Sequence, residues 1–155
     1  MKIKKNFYNL FQNNMEKGIA KNKLFAIGLL GAIAVSLGAL GAHFLKSKLE
    51  TGLITTEQLN GFDTAVKYQM YHVLAMLLLL VLSQLNPNKY FAWAYNLFLL
   101  GIILFSGSLY FLCTRHLLGA DWLRFLGPVT PLGGICFVAG WLCLCLAMLK
   151  TDKKA

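Results

Sequence analysis

Four long stretches without a charged side chain dominate this 155-residue sequence. They are Leu24–Leu45, Tyr68–Asn88, Tyr90–Thr114 and Phe125–Leu149, and they contain 22, 21, 25 and 25 residues. A bilayer core about 30 Å thick needs roughly 20 apolar residues of helix to cross it. The sequence therefore predicts an all-α membrane protein, a bundle of four transmembrane helices. The composition agrees, because 57% of the residues are hydrophobic and only 14% are charged.

The net charge of +9 is distributed unevenly between the two sides of the predicted bundle. Ten of the 15 lysines and arginines lie on one side, at Lys2, Lys4, Lys5, Lys17, Lys21, Lys23, Lys89, Lys150, Lys153 and Lys154. Five lie around the first and third connections, at Lys46, Lys48, Lys67, Arg115 and Arg124. Cytoplasmic segments of membrane proteins carry the excess of positive residues, so we expect both termini in the cytoplasm. Because the charge forms no patch, no nucleic-acid partner is predicted.

The N-terminal segment, residues 1–23, is basic and has apolar residues at helical spacing. This pattern predicts an amphipathic helix that lies on an anionic membrane surface. Two other interpretations of the start stay open. A lysine-rich segment before an apolar run is also typical of a secretory signal, here with cleavage near Ala39 and Gly41. Alternatively, Met15 is the first translated residue.

Local signals predict where the helices begin and end. Thr55 with Gln58 three residues later is typical of a capping box at the start of the second helix, and Pro87 ends that helix. Thr130 and Pro131 predict an N-cap and the first residue of the fourth helix. We expect a transmembrane domain at 24–149 with spans at about 24–43, 65–85, 90–112 and 131–149, followed by a basic cytoplasmic tail at 150–155.

Small residues form one stripe on the first predicted span and one on the fourth, at spacings that stay on one helix face. Inside membranes, small residues let two helix backbones approach closely. These predicted helix-packing positions, together with one glycine of the third span, are Gly31, Ala34, Gly38, Gly41, Gly107, Gly133, Cys136, Gly140 and Cys143. The cysteines are interpreted as packing residues, because the chain has no CxxC pair. No metal site is predicted.

The first span has two further stripes, which we assign by the size and polarity of their side chains. One contains large apolar residues and is predicted to face lipid: Leu30, Ile33, Leu37, Leu40 and Phe44. The other contains small residues and ends in an imidazole, and it is predicted to face the interior of the bundle: Ala32, Ser36, Ala39 and His43.

Polar side chains occur at similar depth in the predicted outer half of all four spans. Ionisable residues within spans are costly and usually face the bundle interior or a cavity, so they are functional candidates. The predicted polar cluster is His43, Tyr68, Gln69, His72, Ser106, Ser108, Tyr110 and Thr130. Its centre is His72.

Four interpretations of His72 stay open. In the first, neighbouring helices satisfy both ring nitrogens and the histidine fixes the packing of the bundle. In the others it lines a water-filled pocket for a small ligand or lipid head group, transfers protons, or ligates haem with His43. The first is favoured, because a proton relay needs titratable groups in the inner half and His43 lies at the membrane boundary. No cofactor is predicted, and the sequence carries no catalytic motif.

Several segments resemble one known family. They are TAVKYQMYHVLAML at 64–77, LFSGSLY at 104–110, GPVTPLGGICFVAGW at 127–141 and LGALGAHFLK at 37–46. Together they resemble the small membrane proteins catalogued as domain of unknown function 423, over about residues 24–149. The resemblance implies a multi-pass protein of the bacterial inner membrane, and it supplies no catalytic residues.

The signals for packing outnumber the signals for chemistry. We therefore expect a non-catalytic interaction or assembly protein rather than an enzyme. Its expected partners are membrane lipids and either a second copy of the chain or a larger membrane complex. The alternative is a protein that binds or transports a small molecule or lipid in the outer polar pocket.

Overall fold

A computed structural model gives the fold of the chain. The structure describes the backbone of residues 2–149 and the side chains of residues 20–149. In chain order the helical segments are an α-helix at Lys2–Leu40, a π-helical turn at Gly41–Leu45, α-helices at Lys46–Glu50, Thr56–Leu85 and Lys89–Gly101, a π-helical turn at Ile102–Ser106, an α-helix at Gly107–Thr114, a 3₁₀-helix at Asp121–Leu126 and an α-helix at Val129–Leu149. The described backbone contains no β-strand. The predicted all-α fold is confirmed.

Four helical stretches are long and apolar enough to cross a bilayer. They are the first span (Ala20–Glu50), the second span (Thr56–Leu85), the third span (Lys89–Thr114) and the fourth span (Asp121–Leu149). The four predicted transmembrane helices are therefore present. The first helix begins upstream at Lys2 and continues without a break into the first span. The amphipathic face predicted for residues 1–23 and the basic tail at 150–155 rest mainly on side chains outside those described.

The second span begins and ends at the residues that the local sequence signals indicate. At its start, Thr55 Oγ1 accepts a hydrogen bond from the Gln58 backbone N–H at 3.3 Å, and Gln58 Oε1 accepts one from the Thr55 N–H at 2.9 Å. This reciprocal pair is the predicted capping box. The helix ends at Leu85, because Asn86 precedes Pro87 and has an extended backbone. Both predicted limits are confirmed.

The fourth span begins differently from the prediction. A 3₁₀-helix at Asp121–Leu126 precedes the α-helix, which starts at Val129 and not at Pro131. Pro131 is then the third helical residue, within the first turn, where the backbone N–H has no acceptor in the helix in any case. The predicted N-cap role of Thr130 is wrong, because this residue lies inside the helix and its hydroxyl bonds to Ser108 on the third span.

Each span packs against the next one along the chain. The third and fourth spans are antiparallel, because Asn88 Nδ2 donates to the Ala147 carbonyl at one end (3.2 Å) and the hydroxyls of Ser108 and Thr130 meet at the other (2.7 Å). The end with Lys23, Asn88 and Ala147 is named the basic end, and the opposite end is named the loop end. Among the described helices, the backbone of the first span approaches only that of the second. The first span is therefore the most exposed of the four.

The third and fourth spans interlock through two phenylalanines and two glycines. Each span carries the pattern FxxG, as Phe98 with Gly101 in the third and Phe137 with Gly140 in the fourth. An added Cβ at Gly140 would lie 2.5 Å from a carbon of the Phe98 ring. An added Cβ at Gly101 would likewise overlap the Phe137 ring. Both rings are buried, so neither glycine position has room for a side chain.

Candidate functional site

A buried amide joins three of the four spans. Gln69, on the second span, is only 2% exposed. Its Nε2 donates a hydrogen bond to the Leu30 carbonyl of the first span at 2.8 Å, and its Oε1 accepts one from the Tyr110 hydroxyl of the third span at 2.9 Å. Both ends of the amide are thus engaged by neighbouring helices. This is the usual way in which a buried polar group avoids an unsatisfied donor or acceptor.

The hydrogen bonds of His72 define which of its nitrogens carries the proton. The Trp141 indole Nε1–H of the fourth span lies 3.3 Å from His72 Nε2. An indole can only donate, so Nε2 accepts and carries no hydrogen. His72 Nδ1, which lies 2.8 Å from the Tyr68 carbonyl, must then carry the hydrogen and donate it. The imidazole is neutral, and both of its nitrogens have partners.

Aromatic rings enclose the imidazole of His72. The Phe137 ring is stacked on it, with 3.6 Å between the ring centroids and 10° between the planes. The Phe98 ring meets it edge-on at 5.0 Å. These are the same two phenylalanines that fill the glycine positions between the third and fourth spans. The histidine therefore docks the second span onto that interlocked pair, and the space around its ring is filled by apolar groups.

The serines of the third span differ in their hydrogen bonding. Ser108 donates its one hydroxyl hydrogen to the Phe105 carbonyl at 3.0 Å. In the hydrogen bond between Ser108 and Thr130, at 2.7 Å, the threonine hydroxyl is therefore the donor. Ser106 has no exposed surface, and its hydroxyl has no hydrogen-bond partner in the part of the chain that the structure describes. It lies at the end of the π-helical turn of the third span.

The structure brings the predicted polar residues together in part. Gln69 bonds to Tyr110, and Ser108 bonds to Thr130. Tyr68 lies beside the His72 stack, with its ring centroid 6.1 Å from those of His72 and Phe137. Two members of the predicted cluster take no part in these contacts: His43 is exposed on the first span, and the buried Ser106 hydroxyl has no hydrogen-bond partner among the described residues. The assembled part of the cluster is thus built by the second, third and fourth spans, with the first span contributing a backbone carbonyl.

The stripe of the first span that was predicted to face inward is exposed, and this prediction is wrong. The residues concerned are Ala32, Ser36, Ala39 and His43. The reason is that the second span packs against the adjacent glycine-containing stripe and leaves this one uncovered. Two residues predicted to face lipid, Leu30 and Leu37, are instead half-buried and pack against core clusters. They flank the line of contact with the second span, where large side chains can cover the neighbouring helix.

The predicted helix-packing positions occur in several environments. The three predicted glycines of the first span all face the second span: the nearest atom to an added Cβ is in Val73 for Gly31 (3.5 Å), in Val66 for Gly38 (3.3 Å) and in Phe62 for Gly41 (3.2 Å). Ala34 has no exposed surface. In the fourth span, Gly133 lies against the backbone of Phe105, and Gly140 lies against Phe98. Cys136 and Cys143 are half-buried. At Gly107 the nearest atom to an added Cβ is the Ile102 carbonyl oxygen, 3.9 Å away.

Sequence reasoning missed three residues that complete the histidine environment, namely Phe98, Phe137 and Trp141. The two phenylalanines resemble any other apolar residue of a span, and no sequence signal singles them out. Trp141 carried a usable signal, because a tryptophan far from both ends of its helix needs an acceptor for its indole N–H. The histidine on the second span is the acceptor that such an argument would have found.

The arrangement defines a class of protein: a multi-pass membrane protein whose buried polar side chains hold the spans together. Comparison with known proteins likewise finds membrane proteins. The family model described as "Protein of unknown function (DUF423)" matches residues 37–134. The chain belongs to this family, which confirms the resemblance seen in its sequence.

Related proteins extend the match over most of the chain. A UPF0382 membrane protein of Staphylococcus haemolyticus is 40% identical over 135 residues, which cover 83% of this chain and 97% of that protein. The UPF0382 inner membrane protein YgdD of Escherichia coli is 36% identical over 131 residues, which cover 84% of this chain and 92% of that protein. No solved structure matches the chain. The chain is a multi-pass protein of the inner, or cytoplasmic, membrane.

Proposed function

We propose that this protein is a non-catalytic interaction protein that associates within the membrane, with a second copy of itself or with a larger complex, through its first span. The observation that carries the proposal is an exposed row of small residues on that span. The row is named the association face and consists of Gly28, Ala32, Ser36 and Ala39. It lies on the span that has the fewest neighbours within the chain.

The association face has the surface that close helix packing requires. Its members recur three or four residues apart, and this small-residue spacing lets a second helix backbone approach closely. At Gly28, no atom lies within 4 Å of an added Cβ. The Ser36 hydroxyl donates to the Ala32 carbonyl of its own helix at 2.9 Å, so it stays close to the helix surface. The face is thus shallow and open to a partner.

Most of the buried polar groups inside the bundle, with Ser106 as the exception, support an interaction role over a chemical one. Gln69, His72 and Ser108 are engaged by partners within the chain. A catalytic or ligand-binding group needs free donors, acceptors or space for a substrate. The alternative function, which is binding or transport of a small molecule or lipid in an outer polar pocket, has less support for this reason.

The experiment compares two enlargements on the first span. Ala32→Leu enlarges the association face, and Val35→Leu enlarges a neighbouring exposed position outside it. Association is measured in lipid nanodiscs or native membranes by single-molecule photobleaching and by crosslinking from a photoreactive amino acid placed at Gly28. We expect Ala32→Leu to reduce the associated fraction several-fold and Val35→Leu to leave it unchanged.

Two results would contradict the proposal. One is an equal associated fraction for the unaltered protein and both variants. The other is a crosslink from Gly28 to lipid alone. A photoreactive residue at Val138, which is exposed on the fourth span, serves as the control position and should crosslink to lipid.

A further inference from the structure

A groove of about 320 Å³ opens at the basic end, between the first, second and third spans. Charged, amide and hydroxyl groups line it together with apolar side chains. Its main lining residues are Lys23, Leu80, Ser83, Asn88, Phe91 and Tyr95. The groove is therefore amphiphilic, and it lies away from the polar contacts of Gln69 and His72.

The ammonium group of Lys23 is held at the wall of the groove. It lies over the Tyr95 ring, 4.8 Å from the ring centroid, where the attraction between a cation and an aromatic face favours it. No carboxylate lines the groove, and Lys23 makes no ion pair with any residue that the structure describes. The groove thus contains one positive charge that no acidic side chain among residues 20–149 compensates.

Asn88 offers a second donor to the same groove. Its Oδ1 accepts a hydrogen bond from the Tyr90 backbone N–H at 3.0 Å, and its Nδ2 donates one to the Ala147 carbonyl at 3.2 Å. A primary amide has two N–H groups, so one remains for another acceptor. The amide is fixed in place because it links the start of the third span to the end of the fourth.

The position of the groove corresponds to the level of lipid head groups. Tyr90 and Trp93 belong to the same first turns of the third span as the lining residues, and aromatic residues of this kind concentrate at membrane interfaces. The Lys89 ammonium lies over both of these rings, at 5.5 Å and 5.8 Å. Among the described side chains, the lysines at this end are Lys21, Lys23 and Lys89. Basic pockets between spans are suited to anionic lipid head groups.

We propose that this groove binds one anionic phospholipid. The phosphate contacts the Lys23 ammonium and the Asn88 amide, and an acyl chain lies against Leu80 and Phe91. The charge of the groove selects an anionic head group, and its apolar part selects a lipid over a free anion. This site is separate from the association face, and the proposal does not depend on the proposed function.

The test measures retained lipid by native mass spectrometry of the purified full chain. The protein is equilibrated with mixed micelles or nanodiscs of phosphatidylglycerol or of phosphatidylcholine. Lys23→Gln removes the charge of the groove. Lys48→Gln is the matched control, because Lys48 also lies on the first span and over an aromatic ring, that of Phe44 at 5.1 Å, but at the loop end.

We expect the unaltered protein and Lys48→Gln to retain one phosphatidylglycerol, and Lys23→Gln to retain it several-fold less. Phosphatidylcholine should be retained weakly by all three. Excess inorganic phosphate should leave the bound phosphatidylglycerol in place, because the acyl chain contributes to binding. A second variant, Ala92→Phe, narrows the groove from an exposed position of its wall and should also lower retention.

Three results would overturn the proposal. The first is equal retention of phosphatidylglycerol by Lys23→Gln and Lys48→Gln. The second is equal retention of phosphatidylcholine and phosphatidylglycerol by the unaltered protein. The third is displacement of the lipid by inorganic phosphate, which would identify a free anion as the occupant. The melting temperature of each variant is measured alongside, so that reduced lipid retention is interpreted only for folded protein.

Discussion

At the scale of single residues, His72 is a titratable group within a span whose two ring nitrogens are both engaged by the bundle. Its Nε2 accepts from the Trp141 indole, and its Nδ1 donates to a backbone carbonyl of its own helix. A proton added to Nε2 would place an N–H against the indole N–H and break the contact between the second and fourth spans. The neutral ring is therefore the form that the bundle uses.

A double-mutant cycle tests this role of His72. His72→Leu, Trp141→Phe and the double variant are compared by unfolding in detergent. We expect a coupling free energy of about 0.6 kcal/mol and no more than about 1.7 kcal/mol, the range measured for hydrogen bonds between membrane helices. His72→Gln, which keeps a donor and an acceptor, should be more stable than His72→Leu.

The cycle also separates the structural role from a chemical one. If His72→Gln folds and keeps the cellular phenotype of the gene, the histidine serves the packing of the bundle. A folded but inactive His72→Gln protein would contradict this conclusion and would indicate proton transfer or ligand chemistry. A coupling energy of zero would show that the indole and imidazole contribute no interaction energy to the folded protein in detergent.

At the scale of helices, the contact between the third and fourth spans depends on what lies opposite each glycine. Gly140 faces the Phe98 ring, with 2.5 Å to an added Cβ, whereas Gly134 on the same helix has 3.9 Å to its nearest neighbour, in Phe105. The two positions are six residues apart on one helix. They differ in the space available and not in helix propensity.

This difference predicts opposite outcomes for one substitution. Gly140→Ala should lower the free energy of unfolding by about 1–3 kcal/mol, the usual cost of overpacking a core. Gly134→Ala should leave it unchanged or raise it slightly, because alanine favours the helix. Folded yield and unfolding temperature in detergent provide the measurement. Equal effects at both positions would show that the phenylalanine ring moves aside without cost.

Sequence patterns predicted the helices better than their faces. Uncharged length predicted the four spans, and Thr55 with Gln58 predicted the start of the second. The faces of the first span were assigned less well. Lipid tails and a neighbouring helix are equally apolar, so the hydrophobicity of a face does not show which of the two it contacts. Ala32 and Ala34 are both small, yet one is exposed and the other is buried. Only the position of the second span distinguishes them.

At the scale of the whole molecule, the distribution of positive charge predicts the orientation in the membrane. A reporter fused after Ala155 should be cytoplasmic, and one inserted near Gly52 should lie on the outer side, because positive residues are retained in the cytoplasm. Alkaline phosphatase and green fluorescent protein fusions provide the measurement. The reverse pattern would place the basic end, with the lipid groove, in the outer leaflet.

The paired FxxG patterns of the third and fourth spans have a consequence for symmetry. Phe98 fills the space at Gly140 while Phe137 fills the space at Gly101, so the two helices are related by an approximate local twofold axis in the plane of the membrane. A surface of this kind is self-complementary and could in principle match a second copy of itself. However, this surface of the third span matches only a helix that runs in the opposite direction. The third spans of all copies with one topology run in the same direction. The fixed topology in the bilayer therefore prevents third spans from pairing with each other through this surface, and it pairs third spans with fourth spans.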